Sequence, residues 1–320
     1  MNVSIIGTGK IVREALPVMK QVEGLRVTSI YARPQSEEKA RLLAEEHGIP
    51  QVMTDFDEVL RSEADFLYIA VINTLHHDFA RRALLAGKHV IIEKPIVMSP
   101  DEMNDLIELA VSRQCYVFEA MTVWHRPCYE AIVNDLLPRI GRVTLLQCNY
   151  SQRSSRYDRY LQGDVAPAFD PELCGGALMD LNVYNFAFVI GLFGAPQRAE
   201  YHANRGFNGI DTSGIALLHY PDKQAVLTAA KDSDSPSFAI IQGDEGWIRV
   251  DSATNEMRQV SYSICQQPVQ TISPGGSDHR LLHEFLHFQQ IFHRGDFQQM
   301  LQLLRRSQTV VRVMRQAIGN

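Results

Sequence analysis

A lysine follows an apolar run at the point where a buried strand is predicted to end. Glu93-Lys94-Pro95 comes directly after His89-Val90-Ile91-Ile92, and a glycine turn, Gly7-Thr8-Gly9, lies near the start of the chain. Doubly wound sheets bind their ligands at the carboxyl ends of the strands, so a lysine there faces a bound cofactor. We therefore predict that Lys94 is catalytic, that Glu93 and Lys94 contact a dinucleotide, and that the protein is an oxidoreductase.

The glycine turn follows the first predicted strand and opens a helix, which is where bare amides approach a pyrophosphate. With 20 glycines in 320 residues, a GxG triplet occurs about once by chance, so position supports the prediction more than pattern does. Val12 stands where the fingerprint has its third glycine, and a strand, turn and helix without cofactor is the alternative. The cofactor residues predicted here are Gly7, Thr8, Gly9, Lys10 and Ile11.

The end of the second predicted strand favours NADP over NAD. A site restricted to NAD usually places Asp or Glu there, against the ribose 2′-hydroxyl, whereas this chain reads Tyr31-Ala32-Arg33-Pro34-Gln35-Ser36. Arg33 and Ser36 suit a 2′-phosphate through charge-assisted hydrogen bonds. NADP is thus the preferred cofactor and NAD the alternative, and a solvated loop cation is the other interpretation of Arg33.

Short apolar runs alternate with helical patterns over the first 120 residues, as in a parallel sheet covered on both faces. One helix start is marked by Ser99, Pro100 and Glu102, a capping box with proline at the first helical position. Six strands joined in this way predict an α/β fold with an N-terminal Rossmann doubly wound parallel sheet. The predicted strands are Val3 to Ile6, Arg26 to Tyr31, Gln51 to Met53, Phe66 to Val71, His89 to Ile92 and Tyr116 to Phe118.

The pattern changes after Val123. A helical stretch, a strand, a long polar segment at 151–174 and an apolar helix at 175–193 precede further strand patterns, which short turns rich in Gly, Asp and Pro connect. Such turns indicate an antiparallel sheet. The predicted strands of this half are Arg142 to Tyr150, Arg198 to Ala203, Gly214 to His219, Ala225 to Ala230, Phe238 to Gln242, Trp247 to Val250 and Gln259 to Cys265.

The length of 320 residues and the mass of 36.2 kDa allow two domains with separate cores. We predict a dinucleotide-binding Rossmann domain over residues 1–122. A C-terminal α+β domain with an open, largely antiparallel sheet is predicted over residues 123–320 and would bind the substrate. Two helices, near 278–292 and 297–318, close the chain and are expected to be able to pack back on the first domain.

Several short motifs occur together along the chain. They are Gly7-Thr8-Gly9, Asn73-Thr74-Leu75-His76, Ala86-Gly87-Lys88-His89-Val90, Glu93-Lys94-Pro95, the run from Gly175 to Tyr184 and Gly191-Leu192-Phe193-Gly194. Singly each is weak, but the set resembles the Gfo/Idh/MocA oxidoreductases over nearly the whole chain. Tyr184 in place of the frequent histidine resembles the branch with dimeric dihydrodiol dehydrogenases, glucose-fructose oxidoreductase and NADP-dependent xylose dehydrogenases. Ile72 in place of proline and Asn182 in place of glycine depart from the family pattern.

The resemblance implies hydride exchange between NAD(P) and a sugar, polyol or cyclic diol. Oxidation of a secondary alcohol needs a base, and reduction needs an acid. Tyr184 is expected to fill both roles, and because an ordinary tyrosine pKa of about 10 is too high, the ammonium of Lys94 is expected to favour the phenolate. Asp180, one helical turn before Tyr184, is expected to orient substrate hydroxyls or Lys94. An incidental ion pair beside a core tyrosine is the alternative.

Polar and aromatic residues near the strand ends are further candidates. Asn73 and His76 follow the fourth strand and are predicted to contact nicotinamide, ribose or substrate, although a helix-start role is the alternative for His76. Residues past the sixth strand, Glu119 among them, are predicted to shape a sugar-sized pocket. The segment 151–174 is predicted either to form a lid with Arg153, Arg156 and Tyr160 or to carry solvated charges. The predicted substrate residues are Trp124, Arg126, Arg156 and Asn182.

Two other functions are compatible with parts of the sequence. His283-Glu284-Phe285-Leu286-His287 matches the HExxH pattern of zinc hydrolases. The predicted apolar stripe of Leu281, Phe285, Phe288 and Phe292 leaves both histidines on the opposite, solvated face, and no third ligand is evident, so we predict no metal site. A cofactor-sensing regulatory protein on the same fold, without turnover, is the second alternative, and the complete set of Lys94, Asp180 and Tyr184 argues for the enzyme.

Composition excludes several classes of protein. A net charge of −6 without a basic block gives no electrostatic footprint for nucleic acid. No apolar stretch approaches the ~18 to 20 residues of a membrane span, and no signal-peptide pattern precedes the first strand, so a cytoplasmic protein is expected. Five scattered cysteines without a CxxC pair indicate packing rather than disulfides. A small-molecule substrate and a homodimer or higher homo-oligomer are predicted.

Overall fold

The computed structural model describes residues 1–275 and 278–319, and contacts between Cα atoms divide the chain into two compact units. Within the described residues, unit 1 comprises residues 1–120 and 281–308, and unit 2 comprises residues 121–280 and 309–319. Residues 281–308 therefore group with the first unit. The domain limits 1–122 and 123–320 remain a prediction about which parts of the chain bind cofactor and substrate.

Unit 1 contains a parallel sheet whose central strands are buried on both faces. Residues 66–69 and 90–92 are all 0% exposed, as expected of strands with helices on either side. The strands are β1 (Asn2–Ile6), β2 (Arg26–Tyr31), β3 (Gln51–Met53), β4 (Phe66–Ile69), β5 (His89–Glu93) and β6 (Val117–Ala120). All neighbours pair in parallel in the order β3-β2-β1-β4-β5-β6. The predicted Rossmann sheet is confirmed.

Helices connect these strands. Ser99 begins the longest of them, because its hydroxyl accepts the Glu102 amide at 3.2 Å while the Glu102 carboxylate accepts the Ser99 amide at 3.1 Å. This confirms the predicted capping box, which stabilises a helix by about 1 kcal/mol. The connecting helices are α1 (Lys10–Met19), α2 (Glu37–His47), α3 (Phe56–Arg61), α4 (His76–Leu85) and α5 (Pro100–Arg113).

Unit 2 is built on a mixed, mostly antiparallel sheet in the order β14-β13-β12-β11-β7-β10-β9-β8. Only the central pair, β7 and β10, is parallel among the described strands. The strands are β7 (Val143–Ser151), β8 (Arg198–Arg205), β9 (Asp211–His219), β10 (Gln224–Ala230), β11 (Phe238–Gly243), β12 (Gly246–Val250), β13 (Val260–Ile264) and β14 (Gln270–Ile272). The predicted open sheet is confirmed, and β14 is an additional short edge strand.

The helices of unit 2 depart from regular α-helical geometry at two places. The stretch predicted as one helix near 129–137 is α6 (Pro127–Ala131) followed by a π-helical turn, Ile132–Leu136. After α7 (Tyr157–Leu161), the helix predicted from Gly175 begins as a second π-helical turn, Leu178–Asn182, and continues as α8 (Val183–Phe193). A π-helical turn bonds residue i to i+5 and so rotates the side chains relative to an α-helix.

Two aromatic side chains of the segment 151–174, Tyr160 and Phe169, are buried. Tyr160 is 1% exposed and stacks on Phe169 and Phe207 at centroid distances of 4.9 and 4.5 Å. Its hydroxyl donates to Asn208 at 2.8 Å, and Asn208 donates to the Phe169 carbonyl at 2.8 Å. Arg153 and Arg156 are exposed, as expected of solvated charges. A lid formed by this segment stays a prediction.

Two helices follow the second sheet, α9 (Leu282–His293) and α10 (Phe297–Gly319). The predicted apolar stripe of α9 packs on the unit 1 sheet, with ring centroids 4.6 Å apart for Phe288 and Phe118 and 5.7 Å apart for Phe285 and Tyr68. Among the described residues, no helix combines the length and apolar character needed to cross a membrane.

Candidate active site

The glycine turn between β1 and α1 requires glycine at one position and leaves space at the other. Gly7 has φ +123°, and a Cβ there would lie 2.4 Å from the Ala70 carbonyl oxygen. Gly9 is the N-cap of α1, and a Cβ there would meet no described atom within 4 Å. The first turn of α1 carries no acid, so its amides suit a pyrophosphate. Val12, in the place of the third glycine, is fully buried.

The two glycines should respond differently to alanine. Gly7→Ala introduces a backbone clash and a strained φ, and should destabilise the free protein by about 1 to 3 kcal/mol. Gly9→Ala should leave the free protein nearly as stable as the parent, yet weaken NADP binding because the methyl group occupies the space open to the pyrophosphate. Thermal melting and NADP titration of both variants test this. Equal melting temperatures for the two, or unchanged NADP affinity in Gly9→Ala, would contradict the assignment.

The remaining residues predicted around the phosphates lie at the surface of unit 1. Thr8 and Ile11 are partly exposed, and the exposed Lys10 lies 3.8 Å from Glu14. Arg33 is exposed at the end of β2, just before a short 3-10 turn that ends at the half-buried Ser36. These positions suit a cofactor whose adenosine ribose lies beyond β2.

Lys94 is half-buried at the carboxyl end of β5, in a turn held by contacts from three elements. The Tyr68 hydroxyl of β4 donates to Glu93, which is 7% exposed. Glu119 of β6 accepts the Ile96 amide at 3.0 Å. Neighbouring strands and the start of α4 thus fix the backbone from which Lys94 projects.

His76 supplies the contact from α4, as the first residue of that helix. It is 0% exposed, with Nδ1 3.0 Å from the Pro95 carbonyl oxygen and Nε2 3.3 Å from that of Val71. Burial lowers the pKa of its imidazole. The side chain thus braces the Lys94 turn, and its contact with cofactor or substrate stays a prediction. Asn73, three residues earlier, is partly exposed after β4.

Glu119 lies beside the same turn and carries a shifted pKa. The residue pairs with Ile92 across the sheet and is 7% exposed. The pKa of Glu119 is raised from 4.5 to about 7, and burial is the largest cause of this shift. The Glu93 carboxylate adds to it. Hydrogen bonds from Ser307 and Ile96 and the Lys94 charge act in the opposite direction.

This shift should make stability depend on pH. Between pH 4.5 and about 7 the folded state holds a proton on Glu119 that the unfolded state has released, so the free energy of unfolding falls as pH rises through this window. Across this window the free energy of unfolding should fall by about 3 kcal/mol in total. Glu119→Gln removes this contribution, so thermal melting against pH should show a flatter profile and higher stability above neutral pH. The exposed Glu108 provides the control Glu108→Gln, and a parental slope in Glu119→Gln would contradict the shift.

Asp180 belongs to the π-helical turn of unit 2 and forms an ion pair that was not predicted. Its Oδ2 lies 2.8 Å from Nζ of Lys231, and their side chains are 41% and 3% exposed. Lys231 directly follows β10 and is 2% exposed. Nothing in the sequence distinguishes Lys231 from other lysines at strand ends, because its partners lie far away along the chain.

Tyr184 lies one residue into α8 and is 6% exposed. Its ring packs against Tyr150 of β7 at a centroid distance of 6.0 Å. The i to i+4 spacing from Asp180 crosses from the π-helical turn into the α-helix, so the expectation of one shared α-helical face does not apply. Both residues nevertheless belong to unit 2, whereas Lys94 belongs to unit 1.

Three of the four predicted substrate residues are buried and hydrogen-bonded within unit 2. Trp124 is 8% exposed and donates through Nε1 to the Ala187 carbonyl at 2.8 Å. Arg126 is 1% exposed, with Nη2 3.5 Å from the Met257 carbonyl oxygen. Asn182 is 0% exposed and donates to the Leu227 carbonyl at 3.2 Å. All three are buried in unit 2, whereas Arg156 is exposed. Contact of these four residues with a substrate stays a prediction.

The zinc alternative gains no support. In residues 1–275 and 278–319, no group of three or more His, Cys, Asp or Glu side chains is arranged to hold a metal. Glu284 is fully buried rather than beside an open coordination position where it would activate water. His287 Nε2 lies 3.0 Å from Gln299 Nε2. The five cysteines are free thiols.

Known proteins resemble this chain over both units. Residues 1–121 match the family model described as "Oxidoreductase family, NAD-binding Rossmann fold", and residues 138–249 match the "GFO/IDH/MocA C-terminal domain". The chain is 35% identical over 250 residues to scyllo-inositol 2-dehydrogenase (NADP(+)) IolU of Bacillus subtilis (strain 168), a match that covers 78% of this chain and 75% of the relative.

Two further similarities agree with these matches. Trans-1,2-dihydrobenzene-1,2-diol dehydrogenase of Xenopus tropicalis is 30% identical over 258 residues, covering 78% of this chain and 74% of that protein. The crystal structure of KijD10, a 3-ketoreductase from Actinomadura kijaniata, in complex with NADP and TDP-benzene has a TM-score of 0.85 at 21% identity and covers 99% of this chain and 97% of its own. That structure supports the fold. From these matches and the motifs above, the chain belongs to the Gfo/Idh/MocA family of oxidoreductases.

Proposed function

We propose that the protein transfers hydride between NADP and a secondary alcohol or carbonyl group of a sugar, polyol or cyclic diol. One observation carries the proposal: Lys94, Asp180 and Tyr184 are all present in a chain 35% identical over 250 residues to a scyllo-inositol 2-dehydrogenase (NADP(+)). The exposed Arg33 after β2 supports NADP over NAD. Residues 1–122 would bind the cofactor and residues 123–320 the substrate.

Each residue has a distinct role in the proposed mechanism. The nicotinamide supplies the hydride acceptor or donor. Tyr184 takes the hydroxyl proton during oxidation and returns it during reduction. The Lys94 ammonium favours the phenolate form of Tyr184 and polarises the reacting oxygen, and Asp180 accepts hydrogen bonds from substrate hydroxyls. The turn held by Glu93, Glu119 and His76 keeps the Lys94 backbone in place.

The cofactor residues act by binding alone. Amides after Gly9 and at the start of α1 would hold the pyrophosphate, and Arg33 with Ser36 would hold the 2′-phosphate. Asn73, partly exposed at the carboxyl end of β4, would contact the nicotinamide riboside. These residues all lie in unit 1.

Turnover by the purified protein tests the proposed function. We expect reduction of NADP⁺, followed by NADPH absorbance, with at least one compound from a panel of inositols, aldoses and cyclic dihydrodiols. The value of kcat/KM should be at least ~10-fold higher with NADP⁺ than with NAD⁺, the size of one charge-assisted contact. NADP binding without turnover on the whole panel would instead support the regulatory alternative.

A homo-oligomer is proposed from the outer face of the unit 2 sheet. Strand alternation sends Leu146, Leu227 and Ile241 into the core at 0 to 1% exposure. The opposite face presents partly or fully exposed apolar side chains, which include Leu145, Ile215, Leu217, Val226, Ile240 and Trp247. An apolar face of this kind suits a partner subunit. Light scattering on the purified protein should give twice the chain mass of 36.2 kDa or a higher multiple, and a monomer would refute the proposal.

A further inference from the structure

We propose that Lys231 is a positioning residue that holds the Asp180 carboxylate in its substrate-binding orientation and ties it to the segment 151–174. The proposal rests on the function proposed above, because it assigns a partner to Asp180 within the same site. It concerns unit 2 alone, to which Lys231, Asp180 and this segment all belong.

Three groups from two parts of the chain surround the Lys231 ammonium. Nζ donates to the Asp180 carboxylate at 2.8 Å and to the Ala168 carbonyl at 2.8 Å. It also lies 4.8 Å from the centre of the Phe169 ring, within range of a cation–π interaction. A carboxylate, a carbonyl and an aromatic face thus share one buried cation.

Burial makes this arrangement specific. An ammonium withdrawn from water is strongly disfavoured unless opposite charge and hydrogen-bond acceptors surround it. The Lys231 side chain is 3% exposed, so it does not reach a ligand itself, whereas the Asp180 side chain remains 41% exposed. Lys231 therefore fixes one carboxylate oxygen of Asp180 from inside unit 2, while the Asp180 side chain remains partly exposed.

The segment 151–174 contacts the Lys231 ammonium through Ala168 and Phe169. Phe169 belongs to the buried cluster with Tyr160 and Ile210, so the Ala168 carbonyl has a defined position. The ammonium that orients Asp180 therefore also binds this segment at a fixed position. A change of packing in the segment would therefore be transmitted to Asp180.

The backbone of Lys231 is held independently of its side chain. Its amide donates to the Thr212 carbonyl at 2.8 Å, and its carbonyl accepts the Ser154 amide at 2.9 Å. Substitution of the side chain leaves these bonds in place. Lys231→Met should therefore fold, and Lys231→Gln, which retains a neutral donor, provides a second variant of similar length.

A double-mutant cycle distinguishes positioning from general structural support. Lys231→Met and Asp180→Asn should each lower kcat/KM by at least ~10-fold, and the double variant should lie within ~3-fold of Asp180→Asn, because Lys231 acts through Asp180. Lys231→Gln should fall between the parent and Lys231→Met. Losses that multiply in the double variant, or parental kcat/KM in Lys231→Met, would overturn the proposal.

Lys223 offers a matched control in the same unit. It lies 2.6 Å from Asp222 and 5.1 Å from the Phe193 ring, so Lys223→Met removes an ion pair and a ring contact that do not involve Asp180. Its kcat/KM should equal that of the parent. A parent protein without NADP-dependent turnover would refute the proposed function and this inference together, whereas an active parent with an equally active Lys231→Met variant would refute this inference alone.

Discussion

Tyr184→Phe is expected to lower kcat by about 10²- to 10⁴-fold, the usual contribution of a positioned acid or base. The substitution removes one hydroxyl from a side chain that is 6% exposed, so packing in α8 is conserved. NADP affinity should not change, because the cofactor residues lie in unit 1. Steady-state kinetics with the best substrate, together with NADP titration, measures both quantities.

Tyr150→Phe is the matched control for this experiment. Tyr150 is a partly exposed tyrosine of β7 whose ring lies 6.0 Å from that of Tyr184, and no proton-transfer role is assigned to it. Its kcat should stay within ~3-fold of the parent value, the range of indirect effects between neighbouring residues. A Tyr184→Phe variant with parental kcat, or equal losses in both variants, would show that Tyr184 is not the acid and base.

Lys94→Met is expected to lower kcat/KM by about 10²- to 10³-fold, as removal of a group that stabilises developing negative charge commonly does. Without the ammonium the phenolate of Tyr184 is less favoured, so oxidation of the alcohol should require a higher pH. The pH profile of kcat in the direction of alcohol oxidation measures this shift. Loss of activity without a shift of the pH profile would show that Lys94 does not act on the ionisation of Tyr184.

Lys88→Met is the control for Lys94. Lys88 precedes the other end of β5, and its ammonium donates to the Ser62 and Ala64 carbonyls at 2.6 and 2.9 Å. Loss of these bonds should cost about 1 kcal/mol each in stability while kcat remains unchanged. If Lys88→Met and Lys94→Met lost turnover equally, a general effect on β5 would explain both.

The sheet of unit 1 was largely predictable because its strands are continuous apolar runs. The largely buried β4 and β5 were predicted to within two residues of their observed limits, and the partly exposed β2 and β3 with the observed limits. The edge strand β14 was missed, since Gln270–Ile272 is short and lies at the exposed edge of the sheet. β3 is also a short edge strand, but it contains two apolar residues where β14 contains one.

The residue types of the site could be predicted from the sequence, whereas the burial and contacts of several side chains could not. Glycines, Lys94 and Asp180 were recognisable because their motifs depend on neighbours along the chain. The burial of Asn182 could not be predicted because a π-helical turn is not visible in a period of 3.6 residues. The burial of Trp124 and Arg126 could not be predicted because aromatic and cationic side chains suit a pocket and an interior equally well. Lys231 was missed because Asp180 precedes it by 51 residues and Ala168 by 63.

The parallel pairing of β7 with β10 has a consequence for the order in which unit 2 is made. β7 is central in the sheet, but both strands that pair with it come much later in the chain. Leu145 pairs with Gln224 of β10, and Asn149 pairs with Phe238 of β11. During synthesis the apolar β7 and α8 are therefore exposed before their partners emerge. Pairing between distant segments slows folding and lengthens exposure to aggregation. Chaperone assistance and a low growth temperature should accordingly raise the yield of soluble protein.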